Sequence, residues 1–205
     1  MKNVFVDLFS GLGGASAAFD DDENWITIKI DNEPTLLEFN RGLYVMDISD
    51  TDEVIAMIRT QLPPHEKLVV WASPPCEQFS WVRADRIAGQ TVDDFDLTLL
   101  DSTRQIIEAL RPDYWIVENV QGAIEIFSDE LERAPTQQIG PCILWGNFPL
   151  IPIEDRANYR HRKLDAKGSR LHRPRFRAKV PYQISKGLLT AVTTQRTLHD
   201  FAGNR

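Results

Sequence analysis

At 205 residues, 42% hydrophobic and 26% charged, the chain has the make-up of one ordinary globular domain with a core and room for a small appendage. Its longest apolar runs are too short to cross a bilayer, its two cysteines are too few for a disulfide framework, and no His/Cys grouping has metal-ligand spacing; a cytoplasmic protein without a metal is expected. The net charge of −7, taken as a mean, counts against a polyanionic partner.

Residues 3–9 are a β-rich run ending at a glycine cluster, and Asp7 interrupts it too early for a signal peptide. Residues 14–19, GASAAF, predict a short helix, and residues 25–30 a second strand closing on Asp31. Pro34 opens a predicted helix over 34–40, and residues 42–47 form a third strand ending at Asp47. Asp50 is placed to cap a helix whose Val54, Ile55 and Ile58 make an apolar stripe. Residues 67–72 read as a fourth strand that runs into ASPPCEQFSW, residues 72–81. Leu99, Leu100, Thr103, Ile106, Ile107 and Leu110 then keep helical period until Pro112 stops them. Residues 113–120 are a fifth strand, 141–148 a sixth, and 181–192 a late helix with Ile184, Leu188 and Val192 on one side. Between the last two, residues 156–179 hold ten Lys/Arg and one acid, with Tyr159 and Phe176 interleaved; thirteen basic and twenty-nine acidic side chains lie elsewhere. A polyanion would feel that focused segment rather than the mean.

Strands alternating with helices predict an α/β fold, a mostly parallel sheet with helices on both faces and ligands held off the carboxyl ends of its strands. The expected organisation is a catalytic domain over 1–148, a short basic segment over 149–179, and a closing helix and tail over 180–205.

The strand ends carry chemistry. DLFSGLGG places Gly11, Gly13 and Gly14 in a strand-to-helix turn, where glycine allows positive φ and close approach of a ligand to backbone N–H groups. It departs from a dinucleotide fingerprint, because Ser16 stands at the third glycine position. Asp31, 20 residues after Gly11, is placed to accept from two ribose hydroxyls, and Asp47 from an adenine amino group. Cys76 follows two stiffening prolines, and a loop with backbone donors can favour its thiolate. Cys142, inside apolar PCILW, reads as a buried and inert thiol. Glu118 and Asn119 end the fifth strand, beside the fourth, so a nucleophile and a proton-holding carboxyl share one sheet edge.

In that order, DLFSGLGG, PPCEQFS and VENV resemble the motifs of the DNA (cytosine-5) methyltransferase family, over roughly residues 4–120. LWGNF and AKVPYQISKGLLTAV look, more loosely, like late parts of such enzymes. The resemblance implies a Rossmann-like class I fold dependent on S-adenosylmethionine (SAM). By it, Asp7, Phe9, Gly11, Gly13, Gly14 and Pro75 would shape the cofactor pocket, Asp31 would take the ribose hydroxyls and Asp47 the adenine amine. Cys76 would be the nucleophile, and Glu118, with Asn119 next to it, would hold the cytosine. Contacts to the nucleic acid would come from Ser80, Arg160, Arg162, Lys163, Arg170, Arg173, Arg175 and Arg177.

Three departures accompany the resemblance. Glu77 follows the cysteine where Gln is usual, adding a charge that raises the thiol pKa. The stretch matching the family's Gln-x-Arg-x-Arg is QIGPC, residues 138–142, without arginines. The chain offers a short basic segment in place of a large target-recognition region, so a compact enzyme with a short recognition sequence or a protein partner is expected. Acting on DNA is the leading reading. RNA or a free cytosine nucleotide as substrate, a non-catalytic SAM- or DNA-binding regulator, and an NAD-linked oxidoreductase are the alternatives.

Overall fold

The computed structural model describes residues 1–77, 79, 95–153 and 179–194. In chain order its elements are β1 (Lys2–Leu8), α1 (Ala17–Asp20), β2 (Trp25–Asp31), a 3-10 turn (Pro34–Glu38), β3 (Leu43–Val45), α2 (Thr51–Gln61) and β4 (His65–Ala72). There follow α3 (Thr98–Leu110), β5 (Tyr114–Asn119), a second 3-10 turn (Gln121–Ala123), α4 (Ile124–Glu130), β6 (Gln137–Ile139), β7 (Cys142–Asn147) and α5 (Tyr182–Thr194). The strands make one sheet in the order β3-β2-β1-β4-β5-β7-β6. The first five are parallel, while β7 runs antiparallel to β5 and β6 antiparallel to β7. Strand order reverses between β1 and β4, which opens a crevice beyond the carboxyl ends of those two strands.

Both faces of the central strands are buried, which is why the runs in β1 and β4 are nearly continuous rather than alternating. On one face Val4, Val6, Ile28, Val70 and Val117 pack with Val54 and Ile58 of α2 and Ile106 of α3. On the other, Phe5, Val69, Trp71, Ile116 and Leu144 pack with Phe19 of α1 and Ile184, Leu188 and Val192 of α5. The apolar stripe read from α5 is the stripe it buries.

Several elements differ from the sequence expectation. The segment after Pro34 closes only as a 3-10 turn, since so few residues cannot repay helix nucleation without a buried face. The third strand covers three residues and leaves Asp47 in the loop beyond it. The helix after the glycine turn is confined to Ala17–Asp20. Asp50 stands at the N-cap of α2, but its side chain makes no capping hydrogen bond. The strand predicted sixth is the seventh, because β6 precedes it, and α4 was not expected.

The closing helix is tied to the glycine turn. Ser185 Oγ accepts from the Ala18 N–H at 2.9 Å and donates to the Ala15 carbonyl at 2.6 Å. Lys67 Nζ donates to the Val192 carbonyl at 3.1 Å. A Cβ on Gly14 would stand 2.5 Å from the Val180 carbonyl oxygen and 2.7 Å from its nitrogen. Gly14, expected among the cofactor residues, therefore answers to the backbone that leads into α5. We expect Gly14→Ala to lower stability by about 1–3 kcal/mol, since the two nearest atoms are backbone and cannot swing aside. Denaturant unfolding checks this.

Candidate active site

The chain turns sharply after β1. Phe9 has φ 58°, Gly11 φ 51° and Gly13 φ 66°; glycine suits the last two, and Phe9 adopts the conformation at a cost. Side chains hold this turn from below. Asn40 Nδ2 donates to Ser10 Oγ at 2.9 Å and to the Gly11 carbonyl at 3.1 Å, and Ser10 Oγ donates to Asp7 Oδ2 at 2.8 Å. Asp7 is enclosed, and burial raises its carboxyl to about 7 against the Ser10 hydrogen bond and the Lys29 charge. It braces the turn from inside. Asn40 was not singled out in the sequence; nothing marks a buried asparagine at the end of an apolar run until the turn it grips is known.

Asp31, at the end of β2, is half-buried. Its Oδ2 accepts from the Gly11 N–H at 2.9 Å and its Oδ1 from the Glu33 N–H at 3.1 Å, so the carboxylate is fixed beside the turn with lone pairs to spare. Asp47 is exposed and lies past β3. Its Oδ1 accepts from the Ser49 N–H and Oγ at 2.9 and 2.7 Å, and these bonds hold its pKa below the usual range.

Across the crevice, the loop after β4 carries buried Pro74, exposed Pro75 and half-buried Cys76. Asn119, fully buried, donates from Nδ2 to the Pro74 carbonyl at 3.0 Å, and its Oδ1 accepts from the Val120 N–H at 2.9 Å. It clamps the cysteine loop to the end of β5 and so acts as a positioning residue. Pro74, Pro75, Glu77, Phe79, Leu99, Leu100 and Phe127 line a cavity of about 310 Å3 beside the loop.

Glu118 projects from the opposite side of β5 to Asn119. It is half-buried, and burial raises its carboxyl to about 7, against the opposing influence of the Ser73 hydroxyl and the Cys142 thiol. Cys76 feels the same carboxyl. Burial first, then Glu118, then Glu77 push its thiol above the ordinary value. The thiolate-favouring loop expected from the sequence is thus outweighed, while the Glu77 effect has the expected sign. Cys142 is buried as expected, yet it is a partner of Glu118 rather than a bystander, and burial followed by the Glu118 charge raises its pKa strongly. It stands last in residues 138–142, the stretch matched to Gln-x-Arg-x-Arg.

Ser80, Arg160, Arg162, Lys163, Arg170, Arg173, Arg175 and Arg177 lie outside the described residues. Among the described residues no helix is long and apolar enough to cross a membrane.

The strand order, with the glycine turn after β1 and the cysteine loop after β4 on either side of the point where it reverses, is that of the Rossmann-like class I methyltransferase fold. The match to known families is narrower. The chain belongs to the C-5 cytosine-specific DNA methylase family, whose family model matches residues 4–131. It is 31% identical over 124 residues to the type II methyltransferase M.HgiGI of Herpetosiphon aurantiacus, covering 58% of this chain and 90% of that protein. It is 30% identical over 124 residues to M.HgiDI of the same organism and 30% over 122 residues to M.HindV of Haemophilus influenzae. Those two matches cover 58% and 57% of this chain but only 37% of each relative.

Proposed function

We propose that the protein transfers a methyl group from SAM to carbon 5 of cytosine in DNA, through a covalent bond between Cys76 Sγ and carbon 6 of the base. The observation that carries this reading is the placement of Cys76 and Glu118 at the carboxyl ends of neighbouring parallel strands, β4 and β5, where the Glu118 carboxyl, raised to about 7, acts on the Cys76 thiol. Such a group is shared between its neutral and ionised forms near neutrality, as a proton donor and acceptor should be.

The residues opposite Cys76 fit the cofactor. The Asp31 carboxylate suits a ribose diol, and among the described residues a Cβ at Gly11 would meet only the Phe9 carbonyl oxygen, at 4.0 Å, which leaves room for a ligand at the turn. When bound, SAM supplies an electrophilic methyl group. The protein's own groups make the base able to take it. The Cys76 thiolate adds to carbon 6, and Glu118 donates to N3, offsetting the electron density pushed into the ring. Carbon 5 then carries the nucleophilic electron pair. After methylation, loss of the carbon-5 proton restores the double bond and expels Cys76. In a duplex the base must first leave the stack, at a cost of about a few kcal/mol, and phosphate contacts from the basic residues 156–179 would offset part of it.

Supplying labelled SAM with DNA, tRNA or dCMP tests the substrate. Label in DNA, as 5-methylcytosine by mass spectrometry, is expected; label in RNA or in the free nucleotide alone would overturn the DNA reading. Asp31→Ala should weaken SAM binding about tenfold to a hundredfold, because a hydrogen-bond acceptor for two hydroxyls is lost. Calorimetric titration measures it, and an unchanged affinity would remove Asp31 from the cofactor site.

A further inference from the structure

Glu118 and Cys142 meet because of strand register. Glu118 of β5 stands opposite Leu144 of β7, so Cys142, two residues earlier, is its diagonal neighbour on the same face. Ser73 approaches from the end of β4, also on that face, where Trp71 belongs to the core shared with Leu144 and Cys142. Trp71 Nε1 donates to Ser73 Oγ at 2.8 Å. An indole N–H can only donate, so the Ser73 oxygen accepts there and its own proton is free for Glu118. A thiol whose pKa is strongly raised keeps its proton, so Cys142 is likewise a donor to the Glu118 anion. Two groups able to donate, from the strands on either side of β5, therefore stand beside one carboxyl.

We propose that Ser73 and Cys142 are positioning residues for Glu118: the hydroxyl and the thiol together aim the carboxyl toward the side where Cys76 stands and steady its anion. This deepens the function proposed above and rests on it only for the reaction, since the grip itself belongs to the resting protein. A hydrogen bond to the anion favours ionisation, whereas burial opposes it. The two donors thus keep the carboxyl from being driven still further toward its neutral form. Among the described residues, the titratable groups acting across this space are Cys76, on the loop after β4, and Cys142, on β7. Ser73 holds its place through Trp71 and does not titrate.

The test is a carboxyl-carbon NMR titration of Glu118 in the full chain, comparing wild type with Cys142→Ala, Cys142→Ser and Ser73→Ala. Each alanine variant should move the midpoint upward by about half to one pH unit. Cys142→Ser, which restores a donor, should return it to the wild-type value or below. The basic limb of the kcat/KM profile for DNA methylation, where the Glu118 proton is lost, should move in the same direction. Midpoints unchanged in both alanine variants would overturn the proposal. So would a shift in Cys142→Ala that serine fails to reverse, because the change would then come from the cavity left in the core. Ser73→Ala lies outside the buried strand pairing and keeps the test open if Cys142→Ala does not fold. The titration needs no turnover, so failure of the grip and failure of the methylation reading are distinguishable.

Discussion

Cys76→Ser should lose methyl transfer by at least about a thousandfold while binding SAM as the wild type does. A serine hydroxyl nearly matches the thiol in size, so the half-buried site loses little packing. The loop keeps its shape, because its anchors are the buried Pro74 and the Asn119 amide rather than the sulfur. What changes is the nucleophile. A hydroxyl gives up its proton far less readily than a thiol, and the same surroundings that raise Cys76, burial and the charges of Glu118 and Glu77, oppose an alkoxide more strongly still. SAM affinity should be spared because Asp31 and the glycine turn lie across the crevice, on β2 and beyond β1. Labelled-methyl transfer and calorimetric titration measure the two quantities separately. A second readout is trapping: on DNA containing 5-fluorocytosine, wild type should form a covalent adduct in the presence of SAM and the serine variant should not. Turnover by the variant at a comparable rate would remove Cys76 from the role. Absence of any adduct with wild type would favour a non-catalytic binding protein that retains the fold.

The sheet could be read from the chain because β2, β4 and β5 are largely apolar runs that stop at a polar residue, and α3 because its apolar residues keep period up to Pro112. Elements that draw their stability from distant partners were less visible. In α4, Glu125 between Ile124 and Ile126 reads as a strand-like alternation, and the helix is settled by Phe127, which is buried against Phe79 and Trp145. β6 is three residues long and is defined by its pairing with β7. The same division runs through the site. Cys76, Glu118 and Asp31 stand where a strand ends, so topology alone brings them together. Ser73, Asn40 and Cys142 act through contacts that strand register and turn closure create, and nothing adjacent in the sequence announces them. Cys142 is the sharpest instance: an apolar neighbourhood marks it as buried, which it is, but does not reveal that the face it occupies also carries Glu118.

Glu118→Gln should separate three quantities that move together in most active-site variants. Methyl transfer should fall by about a hundredfold to ten-thousandfold, since glutamine keeps the shape and can donate a hydrogen bond but cannot deliver a proton to the base. Stability should rise. The carboxyl titrates near 7 in the fold against an ordinary 4.5, so the stability it contributes is full below about 4.5 and is lost as pH climbs through about 7. Above neutrality the wild type carries a disfavoured buried charge that glutamine lacks. Allowing for partial exposure, the variant should be more stable there by up to about 2 kcal/mol, with the gap closing as pH falls. Thermal unfolding across pH checks both sign and window. Third, removing the Glu118 charge takes away the second-largest influence that raises Cys76, so its thiol should ionise at lower pH and alkylate faster at neutral pH. A variant more stable, with a more reactive cysteine, and yet almost inactive would show that the carboxyl is retained for the proton it manages and against the preferences of both the fold and the thiol. If Cys76 alkylates no faster in the variant, the two groups do not share an electrostatic site, and the paired chemistry proposed for them fails with it.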